Sequence, residues 1–421
     1  MTEVAVLGFG VVGSGTVEVL DKNAARIAEN AGQRVWVKSI LDVRDFPDSP
    51  HKDKFVCDFK IIENDPDISI VVEAIGGVGV ALDYTRRSLI AGKSVVTSNK
   101  ELVATHGYEL LKLAGEKGVH YLFEASVGGG VPVIRPIAQC IAGNQISEIY
   151  GILNGTTNYI LSEMLQKGAE FDDALKDAQK KGYAEADPTA DIEGHDVCRK
   201  ICILSSLAFR RNVCPEQVPT KGITSITTED MRFAGELGYR IKLLGRSRAV
   251  GDRVAAYVEP HLVSYDNLLS SVNGVMNGVV VRGNAVGDVM FYGAGAGKLP
   301  TASAVVADII DVVKHRDARK MLGWDDGGAD IAADPVLLES AWYIRTDASR
   351  EKVEREFGKV IFAENNKASG CNLCSDTKLG VSTRNSPAIA FKTNVMNGKK
   401  LRDMLERGIT ALSLFRVLGD H

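Results

Sequence analysis

Residues 4–13 read VAVLGFGVVG, an apolar run followed by three glycines spaced as Gly-x-Gly-x-x-Gly. This pattern predicts a buried strand, a tight turn and a helix that begins at the turn. The first glycine permits the turn, the second lets a pyrophosphate approach the backbone, and the third lets helix and strand touch. Dinucleotide binding is therefore expected at Gly8, Gly10 and Gly13, the alternative being a structural turn that binds nothing.

The same alternation of apolar strands and helices continues to about residue 126. The strands are expected at Val4–Leu7, Val35–Leu41, Ile68–Glu73, Ser94–Thr97 and His120–Glu124, and the helices at Val12–Asn30, Tyr84–Ala91 and Tyr108–Lys117. Continuous apolar strands between helices predict a parallel sheet covered on both faces, a doubly wound α/β domain of Rossmann type. We expect this domain at 1–127, completed by about 300–322, because AVVADIIDVV at 304–313 is too apolar for a surface helix.

Two further domains are expected after the first. An α+β domain for substrate binding and dimerisation should span 128–299, with strands at Gln145–Leu153, Ala255–Leu262 and Ser270–Arg282, and helices at Ile160–Gln166 and His195–Phe209. Residues 335–421 then follow a βαββαβ order, with strands at 341–346, 359–363, 388–394 and 411–418, and helices at 350–357 and 399–407. Many amino-acid-sensing modules have this order, although a fold alone assigns no function.

The composition of the chain argues against nucleic acid and membranes as partners. The 421 residues are 45% hydrophobic and 25% charged, with a net charge of −4, so no basic surface for nucleic acid is expected. No apolar run reaches the roughly 20 residues of a membrane span. The N-terminus enters the first strand without a charged leader, and the seven cysteines are scattered. A cytoplasmic protein with reduced thiols and a small-molecule substrate is expected.

Charged residues follow two of the predicted strands. Asp42 could accept a hydrogen bond from a ribose 2′-hydroxyl and favour NAD, whereas Arg44 could hold a 2′-phosphate and favour NADP. Either residue could instead be a solvated loop charge, so the preference stays open. Lys100 follows Thr97-Ser98-Asn99 at the carboxyl end of another strand, where ligands of open α/β sheets bind.

The densest polar segment is 182–200, GYAEADPTADIEGHDVCRK. Asp196 and Lys200 are four residues apart and share one face of a helix that continues as the apolar run ICILSSLAF. An ion pair on a solvated helix would have little effect, but a lysine on a buried helix is unusual. An ammonium beside a carboxylate could stabilise charge on a carbonyl oxygen and donate a proton to it.

Several of these segments together resemble homoserine dehydrogenases. The resemblance is carried by Gly8–Gly13, Ser98–Lys100, EASVGGG at 124–130, LNGTTNYI at 153–160, Gly182–Lys200 and GAGAGKLPTAS at 293–303. It implies the reversible NAD(P)H-dependent reduction of L-aspartate 4-semialdehyde to L-homoserine, a step in threonine, methionine and isoleucine biosynthesis. The looser C-terminal module, which lacks the usual Asp-x-x-Gly after its first strand, resembles an ACT-type regulatory domain.

The resemblance also implies roles for individual residues. Lys200 would be the acid/base, with Asp196 and Lys100 beside the reacting atoms. The implied substrate-binding residues are Glu185, Asp191, Asn154 and Thr156. The implied cofactor contacts are Gly8, Phe9, Gly10, Val11, Val12, Gly13, Arg44, Ser98, Lys100, Gly182 and Gly297. A sodium ion would be held by Glu124, Val127, Gly129 and Val131, through backbone carbonyls.

Two other functions remain possible at this point. One is a phosphorylating oxidation of the same semialdehyde, which needs a thiolate nucleophile. The other is a non-catalytic sensor of cofactor and amino acid. The Cys-x-x-Cys pair Cys371 and Cys374 could bind a metal or act in redox chemistry, but an ordinary loop is favoured. We further expect an amino-acid effector at the C-terminal module and a homodimer or homotetramer.

Overall fold

A computed structural model describes residues 1–316, 318, 322–363 and 388–419. Cys371 and Cys374 lie outside these residues. The chain forms two compact units. The first comprises Met1–Ile149, Arg199–Gln217 and Val279–Ile331. The second comprises Tyr150–Cys198, Val218–Gly278 and Ala332–His421. Within the described residues, no helix is long and apolar enough to cross a membrane.

Strands and helices alternate along most of the chain. The strands are β1 Thr2–Leu7, β2 Val35–Leu41, β3 Phe55–Val56, β4 Ile68–Glu73, β5 Ser94–Thr97, β6 Tyr121–Leu122, β7 Ile146–Ile152, β8 Tyr239–Val250, β9 Arg253–Ser264, β10 Met276–Gly283, β11 Gly287–Ala294, β12 Glu339–Ser340, β13 Trp342–Thr346, β14 Ile361–Phe362, β15 Ile389–Lys392, β16 Met396–Asn397 and β17 Ala411–Leu418. The α-helices are α1 Val11–Lys22, α2 Ala24–Ala31, α3 Phe59–Glu63, α4 Gly79–Ile90, α5 Lys100–Lys117, α6 Gly155–Lys167, α7 Phe171–Lys180, α8 Thr189–Ile192, α9 His195–Phe209, α10 Thr228–Glu236, α11 Lys298–Lys314, α12 Arg350–Phe357 and α13 Gly398–Leu405.

The first unit contains a six-stranded parallel sheet in the order β3-β2-β1-β4-β5-β6. The buried residues of β1 and β4 are almost all aliphatic, as expected for strands covered on both faces. The strand order reverses between β1 and β4, and ligands of such sheets bind in the crevice at this point. The prediction of a Rossmann-type domain is confirmed.

Helix α11 packs against α1 within the first unit. A Cβ atom on Gly15 would lie 2.8 Å from the carbonyl oxygen of Lys298, so the two helix backbones are in close contact. Lys298 also donates a hydrogen bond to Glu18 at 2.7 Å. The N-terminus of α11 therefore lies beside the first half of α1, close to the glycine-rich turn.

The second unit contains β8, β9 and the C-terminal module. Strands β8 and β9 pair antiparallel from Tyr239–Ser264 to Val250–Arg253. The module follows the order β13-α12-β14-β15-α13-β17 among its described residues, with the strands arranged as β17-β13-β15-β14. Its strand β17 pairs in parallel with β9, so the module extends the sheet of this unit. The predicted βαββαβ order is present.

Several sequence predictions about elements differ from the structure; for example, the helix expected from Tyr108 begins at Lys100, and the strand expected at His120–Glu124 spans only Tyr121–Leu122. The helix expected at Val12–Asn30 is two helices, because Asn23 leaves the helical conformation between α1 and α2. The strand expected at Ser270–Arg282 begins only at Met276, since Asn267 caps a short 3₁₀ turn and Gly274 adopts a φ of 63°. Among the elements that were not predicted are strands β3, β8 and β11 and helices α3, α7 and α10.

Candidate active site

The glycine-rich turn between β1 and α1 has the geometry that its spacing predicts. Gly8 adopts a φ of 90°, and a Cβ atom there would lie 2.6 Å from the carbonyl oxygen of Ala74. A Cβ atom on Gly13 would lie 1.8 Å from the carbonyl oxygen of Gly8, whereas one on Gly10 would meet nothing within 4 Å. Gly8 and Gly13 are therefore required by the fold, and Gly10 leaves space for a ligand at the N-terminus of α1.

This difference between two glycines gives a testable prediction. Gly13→Ala is expected to lower the free energy of unfolding by about 1–3 kcal/mol, because the methyl group overlaps the Gly8 carbonyl. Gly10→Ala is expected to change that free energy by less than about 0.5 kcal/mol, but to weaken NADPH binding about tenfold or more. Urea unfolding and NADPH fluorescence titration measure the two effects. Equal destabilisation by both substitutions would contradict the assignment.

Asp42 and Arg44 act together at the end of β2. The Asp42 carboxylate accepts hydrogen bonds from the Phe9 N–H at 2.6 Å and from the Arg44 N–H at 2.9 Å. It also accepts bonds from the Arg44 side chain, from Nε at 3.0 Å and from Nη2 at 2.9 Å. The Arg44 guanidinium holds the pKa of Asp42 well below its usual range. Asp42 and Arg44, which the sequence offered as alternative determinants of cofactor preference, therefore form one ion pair.

Arg44 is the exposed member of this pair. Its side chain is 60% exposed, whereas that of Asp42 is 5% exposed. The guanidinium lies 5.2 Å from the centre of the Phe46 ring, and Phe46 and Phe55 both contact Phe9 with ring centroids 5.1 Å apart. An aromatic cluster therefore supports the charged group beside the glycine-rich turn.

Sequence reasoning missed the buried carboxylate that organises the loops after β4 and β5. Glu73 accepts hydrogen bonds from the Ile75 N–H at 2.8 Å and from the Thr97 hydroxyl at 2.6 Å, and burial raises its pKa. Thr97 in turn accepts a bond from the Asn99 N–H at 2.9 Å. Asn99 caps α5 by accepting from the Leu102 N–H, which fixes the helix start where Lys100 lies. The available signal was an acidic residue ending an apolar strand.

The segment 124–131 folds into a tight loop within the first unit. The Glu124 carboxylate accepts three backbone N–H bonds, from Val133 at 2.7 Å, Ile134 at 2.9 Å and Arg135 at 2.7 Å. A Cβ atom on Gly128 would lie 2.1 Å from the Val131 carbonyl oxygen, so this carbonyl folds back over the loop. Carbonyl oxygens in such a loop are suitable ligands for a hard monovalent cation.

Two glycines connect this loop to the segment before α11. Gly129 adopts a φ of 57°, and a Cβ atom there would lie 2.2 Å from the carbonyl oxygen of Gly295. Gly297, the residue before α11, adopts a φ of 125°. The backbone therefore passes close to itself at Gly129, and the positive φ of Gly297 places a glycine at the N-terminus of a helix that packs on α1.

The first turn of α6 gathers polar groups of the second unit. Asn154 caps the helix by accepting from the Thr157 N–H at 2.8 Å. Its amide nitrogen donates to Asp191 at 2.7 Å and to Asp196 at 2.9 Å. The Thr156 hydroxyl donates to the Tyr183 carbonyl at 2.7 Å. Residues separated by up to 42 positions are thereby brought together.

Helix α9 carries Asp196 and Lys200 on one face, one turn apart. Both side chains are buried, with residue exposures of 2% and 8%. Arg199, the neighbour of Lys200, donates to Glu101 at 2.9 Å, and Glu101 is the neighbour of Lys100. Helix α9 is therefore anchored at Arg199 to the start of α5 within the first unit.

The remaining predicted residues lie on the loop before α8. Gly182 and Glu185 are exposed, and Gly182 adopts a φ of 74°. The Glu185 carbonyl accepts a bond from the Gln179 side chain at 3.1 Å, which ties this loop to α7. His195 is exposed at the start of α9. Among the described residues, no group of three or more His, Cys, Asp or Glu side chains could hold a metal.

A doubly wound sheet with a glycine-rich dinucleotide turn, together with a buried aspartate and lysine, defines an NAD(P)-dependent oxidoreductase. Two family models match the chain: homoserine dehydrogenase, NAD binding domain, over residues 8–124, and homoserine dehydrogenase over residues 132–310. The chain belongs to the homoserine dehydrogenase family. It catalyses the family's oxidoreduction between L-homoserine and L-aspartate 4-semialdehyde, so the phosphorylating reaction and the sensor are set aside.

Individual relatives agree with this assignment. The homoserine dehydrogenase of Pseudomonas aeruginosa is 43% identical over 354 residues, covering 82% of each chain. That of Helicobacter pylori is 37% identical over 405 residues, covering 96% of this chain and 94% of the relative. The crystal structure of a homoserine dehydrogenase from Thiobacillus denitrificans superimposes with a TM-score of 0.88 at 36% identity, covering 100% of this chain and 99% of that one.

Proposed function

We propose that Lys200 is the acid/base of the reaction, with Asp196 as its partner and Lys100 near the reacting carbon. The observation that carries this proposal is the bond between Arg199 and Glu101, which brings together the chain neighbours of the two lysines. The burial of Lys200 and Asp196 on one helix face supports it further, because buried charges are retained where they have a partner or a role.

The chemistry of the step follows from these positions. In homoserine oxidation, Lys200 accepts the proton of the substrate hydroxyl as the carbonyl forms; in the reverse direction it returns that proton to the oxygen. The nicotinamide, when bound, accepts or supplies the hydride. Asp196 stabilises the ammonium form of Lys200 and fixes its direction, and Lys100 adds positive charge where negative charge develops on oxygen.

We propose that the 182–196 segment and the first turn of α6 bind homoserine. Glu185 is an exposed carboxylate and would pair with the substrate ammonium group. Asp191, Asn154 and Thr156 line the pocket; the bond from Asn154 to Asp191 and the bond from Thr156 to the Tyr183 carbonyl support a preformed site.

Glu185→Gln tests this binding role. The substitution keeps the size of the side chain but removes its charge, so the KM for homoserine is expected to rise about tenfold or more, while the KM for the cofactor stays unchanged. Initial rates are measured from the absorbance of the reduced nicotinamide. Glu116→Gln, which removes an exposed carboxylate on α5 outside the proposed site, is the matched control. An unchanged KM for homoserine would contradict the proposed contact.

We propose that the cofactor is NADP rather than NAD. The four hydrogen bonds that Asp42 accepts use its carboxylate fully, so a ribose 2′-hydroxyl would find no acceptor there. Arg44 bonds to Asp42 through Nε and Nη2 while its side chain is 60% exposed, which suits a 2′-phosphate. A related archaeal structure, at 29% identity and a TM-score of 0.63, is a homoserine dehydrogenase in complex with NADPH; it covers 74% of this chain and 97% of that one.

We propose a sodium ion at the carbonyl oxygens of Glu124, Val127, Gly129 and Val131. Two observations support ligation by carbonyl oxygens alone. The Val131 carbonyl folds back over the loop, and the Glu124 carboxylate already accepts bonds from backbone N–H groups. The ion would stiffen the loop beside Gly295. Replacing sodium by a large organic cation should lower the thermal stability of the protein, and an unchanged unfolding temperature would contradict the proposal.

We propose that the C-terminal module is ACT-like and binds an amino-acid effector. Arg416 on β17 lies 2.6 Å from Glu259 on β9, and Lys221 lies 5.4 Å above the Phe415 ring. Lys221 donates its N–H to Val258, and Ile223 donates to Ile192, just before α9. These contacts connect the module to the segment before α9, so that effector binding at the module would alter the position of Asp196. Initial rates with millimolar L-threonine test it, and unchanged rates would exclude threonine as the effector.

We further propose that the protein is cytoplasmic and forms a homodimer or homotetramer. Each chain would have three functional parts: residues 1–127 with about 300–322, residues 128–299, and residues 335–421. The exposed edge of β11, with Tyr292 58% exposed, supports association. Sedimentation equilibrium measures the mass in solution. A species of 45.3 kDa would contradict the oligomer.

A further inference from the structure

The side-chain NH₂ group of Asn154 donates hydrogen bonds to two carboxylates, those of Asp191 and Asp196. The nitrogen donates to Asp191 Oδ1 at 2.7 Å and to Asp196 Oδ2 at 2.9 Å, and all three residues belong to the second unit. A primary amide has only two N–H donors, so this side chain has none left for a substrate. Its contribution to the site must then pass through the two carboxylates.

The orientation of the amide is fixed by its surroundings. Its oxygen accepts the Thr157 N–H at 2.8 Å. The opposite orientation would place that oxygen against two carboxylates and the NH₂ group against another donor, which is unfavourable on both sides. Asn154 is also only 5% exposed, so water cannot readily replace these bonds.

Helix α6 is anchored on its other side, which gives Asn154 a rigid base. Lys242 donates to Asn158 Oδ1 at 3.0 Å and to the Val272 carbonyl at 2.5 Å, and Asn158 donates to the Met276 carbonyl at 3.1 Å. Lys242 and Asn158 are each 2% exposed. These bonds hold the second turn of α6 against the loop before β10, so the N-terminal amide of the helix has little freedom to move.

We propose that Asn154 is a positioning residue that holds Asp191 and Asp196 beside each other and thereby sets the direction of the Asp196 carboxylate. The inference rests on the proposed role of Asp196 as partner of Lys200. The carboxylates of Asp191 and Asp196 would repel each other if the N–H groups of Asn154 did not lie between them. Asn154 relieves that repulsion and connects α8 to the start of α9.

Two substitutions separate this role from helix capping. Asn154→Ser and Asn154→Asp both keep a good N-cap, but serine provides at most one donor and aspartate adds a third negative charge. We expect kcat to fall about 10- to 100-fold in the serine variant and further in the aspartate variant, with the KM for the cofactor unchanged. A residue that only caps α6 would give near-wild-type kcat in both variants, and that result would overturn the proposal.

A double-mutant cycle with Asp196→Asn completes the test. If Asn154 acts through Asp196, adding Asn154→Ser to Asp196→Asn should cost little further activity, whereas independent effects would multiply. Independent effects, or a rise in the KM for homoserine at constant kcat, would overturn the inference. Full activity of Asp196→Asn alone would instead show that the proposed role of Asp196 is wrong, so the two failures are distinguishable.

Discussion

Lys200→Ala is expected to lose about three orders of magnitude in kcat for homoserine oxidation, because removing a general acid/base costs about 10²- to 10⁴-fold. Lys200 is buried, and its neighbour Arg199 is anchored to Glu101, so the helix should keep its place when the side chain is shortened. NADPH binding, measured by fluorescence titration, should change little. The combination of lost turnover and retained binding is the diagnostic result.

Two further variants sharpen this experiment. Lys200→Arg keeps the positive charge but holds its proton at every working pH, so it should be nearly as inactive as the alanine variant. Lys176→Ala removes an exposed lysine of α7 and should retain wild-type kcat. If Lys200→Ala turned over as fast as Lys176→Ala, another group would move the proton, and Lys100 would be the next residue to test.

Arg44→Ala is expected to lower kcat/KM for NADP about 10- to 100-fold, because charge-assisted bonds to a phosphate contribute about 1.5–3 kcal/mol. kcat/KM for NAD should stay constant or rise, since Asp42 is released from the guanidinium and can accept a bond from a 2′-hydroxyl. The measured quantity is the ratio of the two kcat/KM values.

The control for this prediction is Arg26→Ala. Arg26 is an exposed arginine of α2 whose side chain is 71% exposed, so its removal changes the net charge equally. That variant should leave the ratio unchanged. A parallel fall with both cofactors in Arg44→Ala would mean that Arg44 stabilises the fold of the turn rather than selecting the phosphate.

The sequence by itself determined the elements whose signals are local. The glycine spacing at residues 8–13 required a tight turn, since a Cβ atom at Gly13 would overlap Gly8. The strands β2, β4 and β5 and the helices α9 and α12 begin and end where the apolar pattern predicts. The motif at 182–200 could be matched residue by residue to a family, because its polar residues are adjacent in the chain.

Only the tertiary structure decided how distant polar groups are paired. Lys242 and Arg246 are charged residues of β8, a strand that the sequence did not predict, yet each is 2% exposed. Lys242 can be buried because α6 and the loop before β10 supply oxygen atoms for its ammonium group. Asp42 and Arg44 favour different cofactors when taken singly from the sequence, whereas in the folded chain they form one ion pair.

Asn154 shows the physical reason most clearly. Its partners Asp191 and Asp196 follow it by 37 and 42 residues, and no local propensity encodes a hydrogen bond over such a separation. Those bonds form only once packing has brought α6, α8 and α9 together and excluded water. The sequence therefore predicted which residues carry the chemistry, and the folded structure shows how their polar groups are paired.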